Sequence, residues 1–403
     1  MRLWTSAYGL QSNVAGIGDF HQSNGVIVID SIDGKWWHHV TSLVSGTSQR
    51  TSHRMINAAA QGPFFARGRF RLGTLPASAN RIFRWSAGGI PLFGAITATG
   101  NIQLSDETGL IGTSATALSA GTYVIECEFD SHLGAGACVA ILRINGVAEV
   151  TATNRTFTST TVQQFDVGGN LNSETQTVGD WRWTDIAIND STTSVQNSWP
   201  GNTGEVAYLF PISNGDANVG VTRGGTDSGA DWSQLDEVPP NDATDYIEMA
   251  TTSGKCWVRV TDPTSVGIGE AYHITLVHVG GRVALAAAGT GNWFPSLKSQ
   301  ASGTELDASP VTLAATTWSN NDDSSGLQQY KVTAYTDPQS GGAWTTAKLR
   351  TLQVGAKTTD GSPATRVSQL FAVVEYVPFS VRVPAVMPGG VYAGLQVPSG
   401  GFQ

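Results

Sequence analysis

Two glutamates on one predicted strand are the strongest candidates for chemistry in this sequence. Glu126 and Glu128 lie in the alternating run from Gly121 to Asp130, and residues two apart on a strand point to the same face. Carboxylates paired in this way can act as acid and base on a glycosidic bond. The flanking residues lack the aromatic and methionine context of the glucanases that use this spacing, so we interpret the pair as a solvated strand face.

Other catalytic arrangements are missing from the sequence. It contains neither a Gly-x-Ser-x-Gly nucleophile motif nor a phosphate loop of the GxxxxGK[ST] type. His38 and His39 are adjacent on a predicted strand, so they point to opposite faces and cannot hold one metal ion together. We therefore predict no catalytic residues, and we expect a protein that is not an enzyme and acts by binding.

Aromatic residues favour a site for carbohydrate. The chain has 12 tryptophans and 9 tyrosines, whose rings can stack on sugars, although most tryptophans are expected to lie in the core. Trp199, beside Pro200 in a polar connector, and Trp232, in a polar loop, lack an alternating pattern. These two are the predicted glycan-binding residues.

The composition limits the remaining functions. A chain of 403 residues exceeds one ordinary core and predicts two domains. The net charge of −9 argues against a nucleic-acid partner, and no apolar run reaches the roughly 18 residues of a membrane span. Cys127, Cys138 and Cys256 are too scattered for a disulfide framework and are interpreted as packed thiols. The sparse charge (14%) and the lack of a signal-peptide layout fit a virion part released by lysis.

The elements that must position these residues are strands. Short alternating runs bounded by turn residues recur along the chain, and Asn145-Gly146 between two such runs is a hairpin signal. The stretch from Asp180 to Pro211 is predicted to hold the last strand of one domain, a polar connector and the first strand of the next. We predict an all-β chain with a first domain over 1–195 and a second β-sandwich over 196–378. The predicted strands of the second domain include two separate runs at 271–280 and 282–289 and a run at 348–360. An extension over 379–403 either docks on a neighbour or forms a loosely ordered end.

The first domain resembles a known fold family. The matching residues are Ile144-Asn145-Gly146, Val167-Gly168-Gly169-Asn170 and Trp183-Thr184-Asp185-Ile186. Over roughly 60–190 they resemble laminin-G-like, concanavalin A-like jelly rolls, which are antiparallel β-sandwiches. Such domains often bind calcium through Asp and Asn oxygens. The resemblance therefore implies a calcium site, with the candidates Asp166, Asn170, Asp180 and Asp190, unless these residues only form turns. No other cofactor is expected.

The connector and the residues after it resemble structural proteins of tailed bacteriophages. The matching segments are Asn189-Asp190, Ser198-Trp199-Pro200-Gly201, Leu209-Phe210-Pro211, Asp236 to Asp242 and Asp245-Tyr246-Ile247. The resemblance implies a tail-associated virion protein that contacts other virion proteins, forms homo-oligomers and binds host-surface glycan without inserting into a membrane. Two alternatives stay open: a head-attached decoration or fibre protein, and a glycan-degrading enzyme that uses Glu126 and Glu128.

Overall fold

The computed structural model describes most of the chain. The described residues are 2–6, 26–29, 35–40, 49–54, 63–86, 89–157, 162, 164–169, 171, 179–191, 194–226, 229–238, 240–314, 316–318 and 331–379. Residues 380–403 of the predicted C-terminal extension lie outside these ranges, so the docking of that extension stays a prediction.

The described residues between Arg2 and Asp190 form fourteen strands in two antiparallel sheets. The strands are β1 (Arg2–Ser6), β2 (Val26–Ile29), β3 (Trp36–Val40), β4 (Gln49–Arg54), β5 (Phe64–Thr74), β6 (Asn80–Ser86), β7 (Leu92–Ile96), β8 (Asn101–Asp106), β9 (Gly109–Ala117), β10 (Gly121–Asp130), β11 (Cys138–Ile144), β12 (Val147–Arg155), β13 (Gln164–Gly169) and β14 (Asp180–Asp190). Sheet A has the order β12-β11-β10-β5-β14-β3-β2, with β1 also paired to β14. Sheet B has the order β4-β13-β6-β7-β8-β9.

One face of each of these sheets is buried in a shared core. Trp85 of sheet B lies 6.4 Å from Phe129 of sheet A, measured between ring centroids. Trp181 of sheet A donates from Nε1 to the Gly168 carbonyl of sheet B at 2.8 Å. Cys127 is buried in the same core, and this burial raises its pKa to about 12, so it stays a neutral thiol. These contacts join the two sheets into an N-terminal sandwich, and the alternation of the strands leaves the other face of sheet A pointing outward.

Strand β14 contains a bulge that changes which positions face the core. Its register with β5 shifts between Thr184 and Ala187, and Asp185 adopts a left-handed φ of 52°. Aspartate tolerates that conformation better than most residues. Because one residue is inserted, Trp183 and Ile186 both face the core although they are an odd number of positions apart.

The described residues between Glu205 and Pro378 form twelve further strands and one short α-helix. They are β15 (Glu205–Leu209), β16 (Pro211–Asn214), β17 (Val221–Gly225), β18 (Asp245–Met249), β19 (Lys255–Val260), β20 (Tyr272–Leu285), β21 (Gly291–Lys298), β22 (Leu306–Asp307), β23 (Val311–Leu313), β24 (Lys331–Ala334), α1 (Thr346–Arg350), β25 (Gln353–Lys357) and β26 (Thr365–Pro378). Sheet C has the order β17-β18-β26-β20-β24, with β15 also paired to β26. Sheet D has the order β16-β19-β25-β21-β22, with β23 paired to β21. We call this pair of sheets the C-terminal sandwich.

Two features of the C-terminal sandwich differ from the sequence-based expectation. The two strands predicted on either side of Gly280-Gly281 are a single strand, β20, because its pairing with β26 continues through both glycines. The residues around Lys348 form α1, not a strand. The Thr345 side chain caps this helix by accepting from the Lys348 backbone N–H at 3.3 Å.

The two sandwiches meet through buried and half-buried charged side chains. Three cations and three carboxylates form this junction network: Lys35, Arg67, Arg69, Asp185, Glu205 and Glu375. Arg67 Nη2 lies 3.0 Å from Glu375 Oε1, and these side chains are 1% and 2% exposed. Arg69 contacts Asp185 at 2.7 Å and Glu205 at 3.3 Å, while Lys35 contacts the same two carboxylates at 3.1 and 3.0 Å. Buried charges need such partners, because desolvation of an unpaired ion is costly.

The prediction of an all-β fold, a jelly-roll-like sandwich followed by a second sandwich, is confirmed by the four antiparallel sheets. The Asn145-Gly146 hairpin is also present, with both residues at positive φ (50° and 80°) as a two-residue type I′ turn requires. Among the described residues, no helix has the length and apolarity needed to cross a membrane.

Candidate functional site

The predicted carboxylate pair lies on the outer face of sheet A. Glu126 and Glu128 point outward because the alternate residues of β10 belong to the core. In the register of the sheet, Glu126 is opposite Arg67 of β5 on one side and opposite Arg143 of β11 on the other. Glu128 is opposite Phe65 of β5. The pair is therefore set among two arginines and an aromatic ring.

The connector brings Trp199 to the same place. The Arg143 guanidinium carbon lies 3.7 Å from the centroid of the Trp199 ring, and the Phe65 ring centroid lies 5.3 Å from it. The Gly201 backbone N–H donates to Glu126 Oε1 at 3.2 Å. Residues that the sequence singled out for two different functions thus form one cluster. We call this cluster, Phe65, Glu126, Glu128, Arg143 and Trp199, the tryptophan face.

The two glutamates of the tryptophan face have perturbed acidities. Burial raises the pKa of Glu126, against the opposing effects of Arg67, Arg143 and the Gly201 N–H. Burial, together with the negative charge of Asp130, raises the pKa of Glu128 to about 7, and Arg143 only partly opposes this. Glu128 can therefore exchange a proton near neutral pH.

Accessibility separates the two glutamates. Glu126 is 1% exposed and lies beneath Gly201, whereas Glu128 and Trp199 are half-buried and reach solvent. A molecule at this face meets an indole ring, a guanidinium and one titratable carboxyl. Such a set suits ligands that have both apolar faces and hydroxyl groups.

The other predicted glycan-binding residue, Trp232, lies in the C-terminal sandwich. It belongs to the single-turn 3₁₀ helix Asp231–Gln234 and packs partly against the core of that sandwich. Its neighbour Asp231 lines an open groove of about 640 Å³ together with Asn218 and Arg223. Both of these side chains already hydrogen-bond Asp231. Trp199 and Trp232 therefore do not form one site.

The three predicted calcium candidates that the structure describes are not brought together. Asp166 is fully buried and pairs with Arg84, whose Nε lies 2.6 Å from its Oδ2. Asp180 and Asp190 are the two ends of the 11-residue strand β14, about 30 Å apart at the rise of a strand. Asn170 lies outside the described residues. Asp166, Asp180 and Asp190 cannot share a single ion in this arrangement.

The adjacent histidines separate as predicted. His38 is buried in the N-terminal sandwich, and this burial lowers its pKa to about 3. His39 points outward, and its Nε2 lies 2.6 Å from Asp180 Oδ1. Within the described ranges, no three His, Cys, Asp or Glu side chains are placed to hold a metal ion.

Sequence reasoning missed two arginines of this region. Arg67 donates from Nη1 to the Pro200 and Gly201 carbonyls at 3.4 and 3.2 Å, and Arg143 stacks on Trp199. Both are outward residues of strands, where a charged side chain usually only faces solvent. The one signal for them is that both lie opposite Glu126 on neighbouring strands. That position can be recognised only when the register of the sheet is known.

Comparison with known proteins gives no relative by sequence. No family model matches the chain, and no curated protein matches it. Solved structures similar to it include a Trypanosoma rangeli sialidase bound to 2,3-difluoro-KDN (TM-score 0.30, 12% identity), where the match covers 44% of this chain and 31% of the sialidase. They also include the alginate lyase Aly36B (TM-score 0.33, 13% identity, 48% of this chain and 98% of the lyase). A third is the cellulose-induced protein Cip1 (TM-score 0.26, 11% identity, 38% and 84%).

These matches correct one expectation and leave another without support. The prediction that the chain is not an enzyme is contradicted, because the similar structures include a sialidase and alginate lyases, and we withdraw it. At these TM-scores the likeness assigns no activity to this chain. The matched part spans about a third of the sialidase. The comparisons give no support for a phage origin, so that resemblance stays a prediction.

Proposed function

We propose that this chain binds glycans through the tryptophan face. The observation that carries the proposal is the position of Trp199, which lies outside any strand and is held at the surface by Arg143 and Phe65 beside Glu128. The C–H face of a sugar stacks on an indole ring, and its hydroxyl groups bond to nearby charged side chains. Arg67 is already paired with Glu375, which leaves Arg143 as the one cation of the tryptophan face beside the carboxyl groups of Glu126, Glu128 and Asp130, so we expect neutral sugars to bind better than acidic ones.

A calorimetric titration tests this proposal. Cellohexaose, maltohexaose, chitohexaose and a mannuronate hexamer are titrated into the full chain. We expect at least one neutral oligosaccharide to bind and Trp199→Ala to weaken it by roughly tenfold or more, as for a buried aromatic anchor. Trp318→Ala, which removes another half-buried tryptophan, is the matched control and leaves binding unchanged. Loss of binding in Trp232→Ala with none in Trp199→Ala would move the site to the groove beside Asp231.

A second candidate function is cleavage of the bound glycan, favoured by the raised pKa of Glu128. In this reaction Glu128 gives its proton to the glycosidic oxygen as the C–O bond breaks. Water attacks the anomeric carbon and passes a proton to Glu126. Because Glu126 is 1% exposed beneath Gly201, Gly201 must first move aside for water to reach this carboxylate. Release of new reducing ends by the wild type, and its loss in Glu128→Gln, supports cleavage; a wild type that binds without releasing them refutes it.

We propose further that this binding serves adhesion of a phage virion to host-surface glycan, with the chain in the tail. The support is the sequence resemblance from Asn189 to Ile247 and the sparse charge of the chain. Placement in the head, as a decoration or fibre protein, is the alternative. Immunogold labelling of particles with an antibody to the chain separates the two, and a particle that carries no label refutes both.

A further inference from the structure

A chain of contacts leads from the C-terminal sandwich to Trp199. Glu375 is an outward residue of β26, since its neighbours Val374 and Tyr376 lie in the core. Its carboxylate accepts from Arg67 at 3.0 Å and from the Thr275 hydroxyl at 2.6 Å. Glu375 thus fixes the guanidinium of an arginine that belongs to the other sandwich.

Arg67 also contacts the connector. Its Nη1 donates to the Pro200 and Gly201 carbonyls, and its Nε donates to the Asp185 carbonyl at 3.3 Å. These acceptors lie immediately after Trp199 and at the bulge of β14. A planar guanidinium can serve several acceptors only in one orientation, and Glu375 sets that orientation.

The described connector residues around Trp199, 194–204, belong to no strand, so no sheet hydrogen bonds hold the ring in place. Gln196 Nε2 donates to Glu375 Oε2 at 3.4 Å, so the carboxylate also contacts the connector before the tryptophan. On the N-terminal sandwich, Asn189 Nδ2 donates to the Ser198 carbonyl at 2.6 Å. The position of the ring therefore depends on contacts from both sandwiches.

We propose that Arg67 and Glu375 are positioning residues through which the docked C-terminal sandwich fixes Trp199 in the tryptophan face. The two sandwiches then act as one binding unit, and the site is complete only while they are docked. This inference rests on the proposed glycan function for its biological meaning. The positions of the residues can be tested without any sugar.

Fluorine NMR of the full chain labelled with 5-fluorotryptophan tests the proposal. The Trp199 resonance is identified as the one lost in Trp199→Phe. We expect Glu375→Gln to shift or broaden it, and Arg67→Lys to do the same, because lysine keeps the charge but loses the fork that reaches two carbonyls. Asp242→Asn, which removes the partner of Arg282 within the C-terminal sandwich, is the matched control and leaves the resonance unmoved.

Binding gives the second readout. The oligosaccharide that the wild type binds in the calorimetric panel should bind at least about fivefold more weakly to Glu375→Gln, the lower end of coupling between distinct sites. Should Glu375→Gln fail to fold, Thr275→Val, which removes only one hydrogen bond to the carboxylate, replaces it in both measurements. An unmoved Trp199 resonance in a folded variant overturns the inference. A wild type that binds no sugar overturns the proposed function and leaves the NMR result to decide the coupling.

Discussion

The outer face of sheet A has two halves, and they differ in how the charges of their buried carboxylates are compensated. On β5 and β14, the junction network gives each buried carboxylate a cation, as in the Arg67–Glu375 pair. On β10, Glu128 is opposed only by Arg143, and Glu126 by Arg143 and by Arg67, which is already paired with Glu375; burial raises the pKa of both glutamates. The first half contacts strands β15 and β26 of the C-terminal sandwich, and the second contacts the connector.

The difference shows that counter-charge, more than burial alone, decides what a buried carboxylate does. A carboxylate with its own cation becomes a structural anchor, because breaking the pair would leave a charge without compensation. A carboxylate that loses water without gaining its own cation becomes titratable near neutral pH, which is a common property of functional sites. The outer face of sheet A thus has both kinds of carboxylate: Asp185 with its own cations, and Glu128 without one.

The largest expected effect comes from removing a cation of the junction network. Arg67→Met leaves Glu375 buried without its cation and should lower the free energy of unfolding by about 3–5 kcal/mol. Urea denaturation at pH 7 measures this change. Arg350→Met is the control, since Arg350 is 43% exposed beside Glu270, and an exposed pair adds little. Equal losses in the two variants would show that the junction network contributes no more than a surface pair.

Sequence patterns predicted the local elements because alternation is a local property. The predicted run Gly121–Asp130 is the complete strand β10, and the predicted strands before and after the connector are present as β14 and β15. The bulge at Asp185 also had a signal, since the apolar positions step from Trp183 to Ile186. The run around Lys348 was misjudged because a five-residue helix has too few turns to show a helical period.

The site could be predicted only in pieces. Trp199 and the Glu126–Glu128 pair were each identified, but as parts of different functions, because no sequence pattern indicates that the connector folds back over β10. Arg67 and Glu375 are 308 positions apart, and neither lies in a motif. Their contact follows from how two sandwiches dock, which depends on tertiary packing rather than on propensity or periodicity.

A smaller effect is expected from crowding the junction without changing a charge. A Cβ on Gly204 would overlap Arg67 Nη1, and that guanidinium is already held by acceptors on both sandwiches. Gly204→Ala should therefore lower the free energy of unfolding by about 1–3 kcal/mol, the usual cost of overpacking. Gly269→Ala is the matched control, because a Cβ there meets nothing within 4 Å. A neutral Gly204→Ala would mean that Arg67 has room to move.

The smallest expected effect concerns Glu128 on β10, and it depends on pH. The pKa of Glu128 is about 7 in the folded chain against an ordinary 4.5, so between these values the folded protein binds more protons than the unfolded one. Its stabilising contribution is complete below pH 4.5 and is lost as the pH rises through 7. Glu128→Gln stays neutral, so its stability relative to wild type should rise between pH 5 and 8. We expect a rise of about 1 kcal/mol after allowing for solvent screening.

Urea midpoints at pH 5 and 8 measure this change, with Glu149→Gln as the control. The Thr116 hydroxyl lowers the pKa of Glu149, so its contribution is lost only at acidic pH, below its ordinary value of 4.5. The difference between Glu149→Gln and wild type should therefore be the same at both pH values. A Glu128→Gln variant with that same flat behaviour would show that Glu128 is ionised throughout this range. The two halves of the face would then differ in coverage but not in charge compensation.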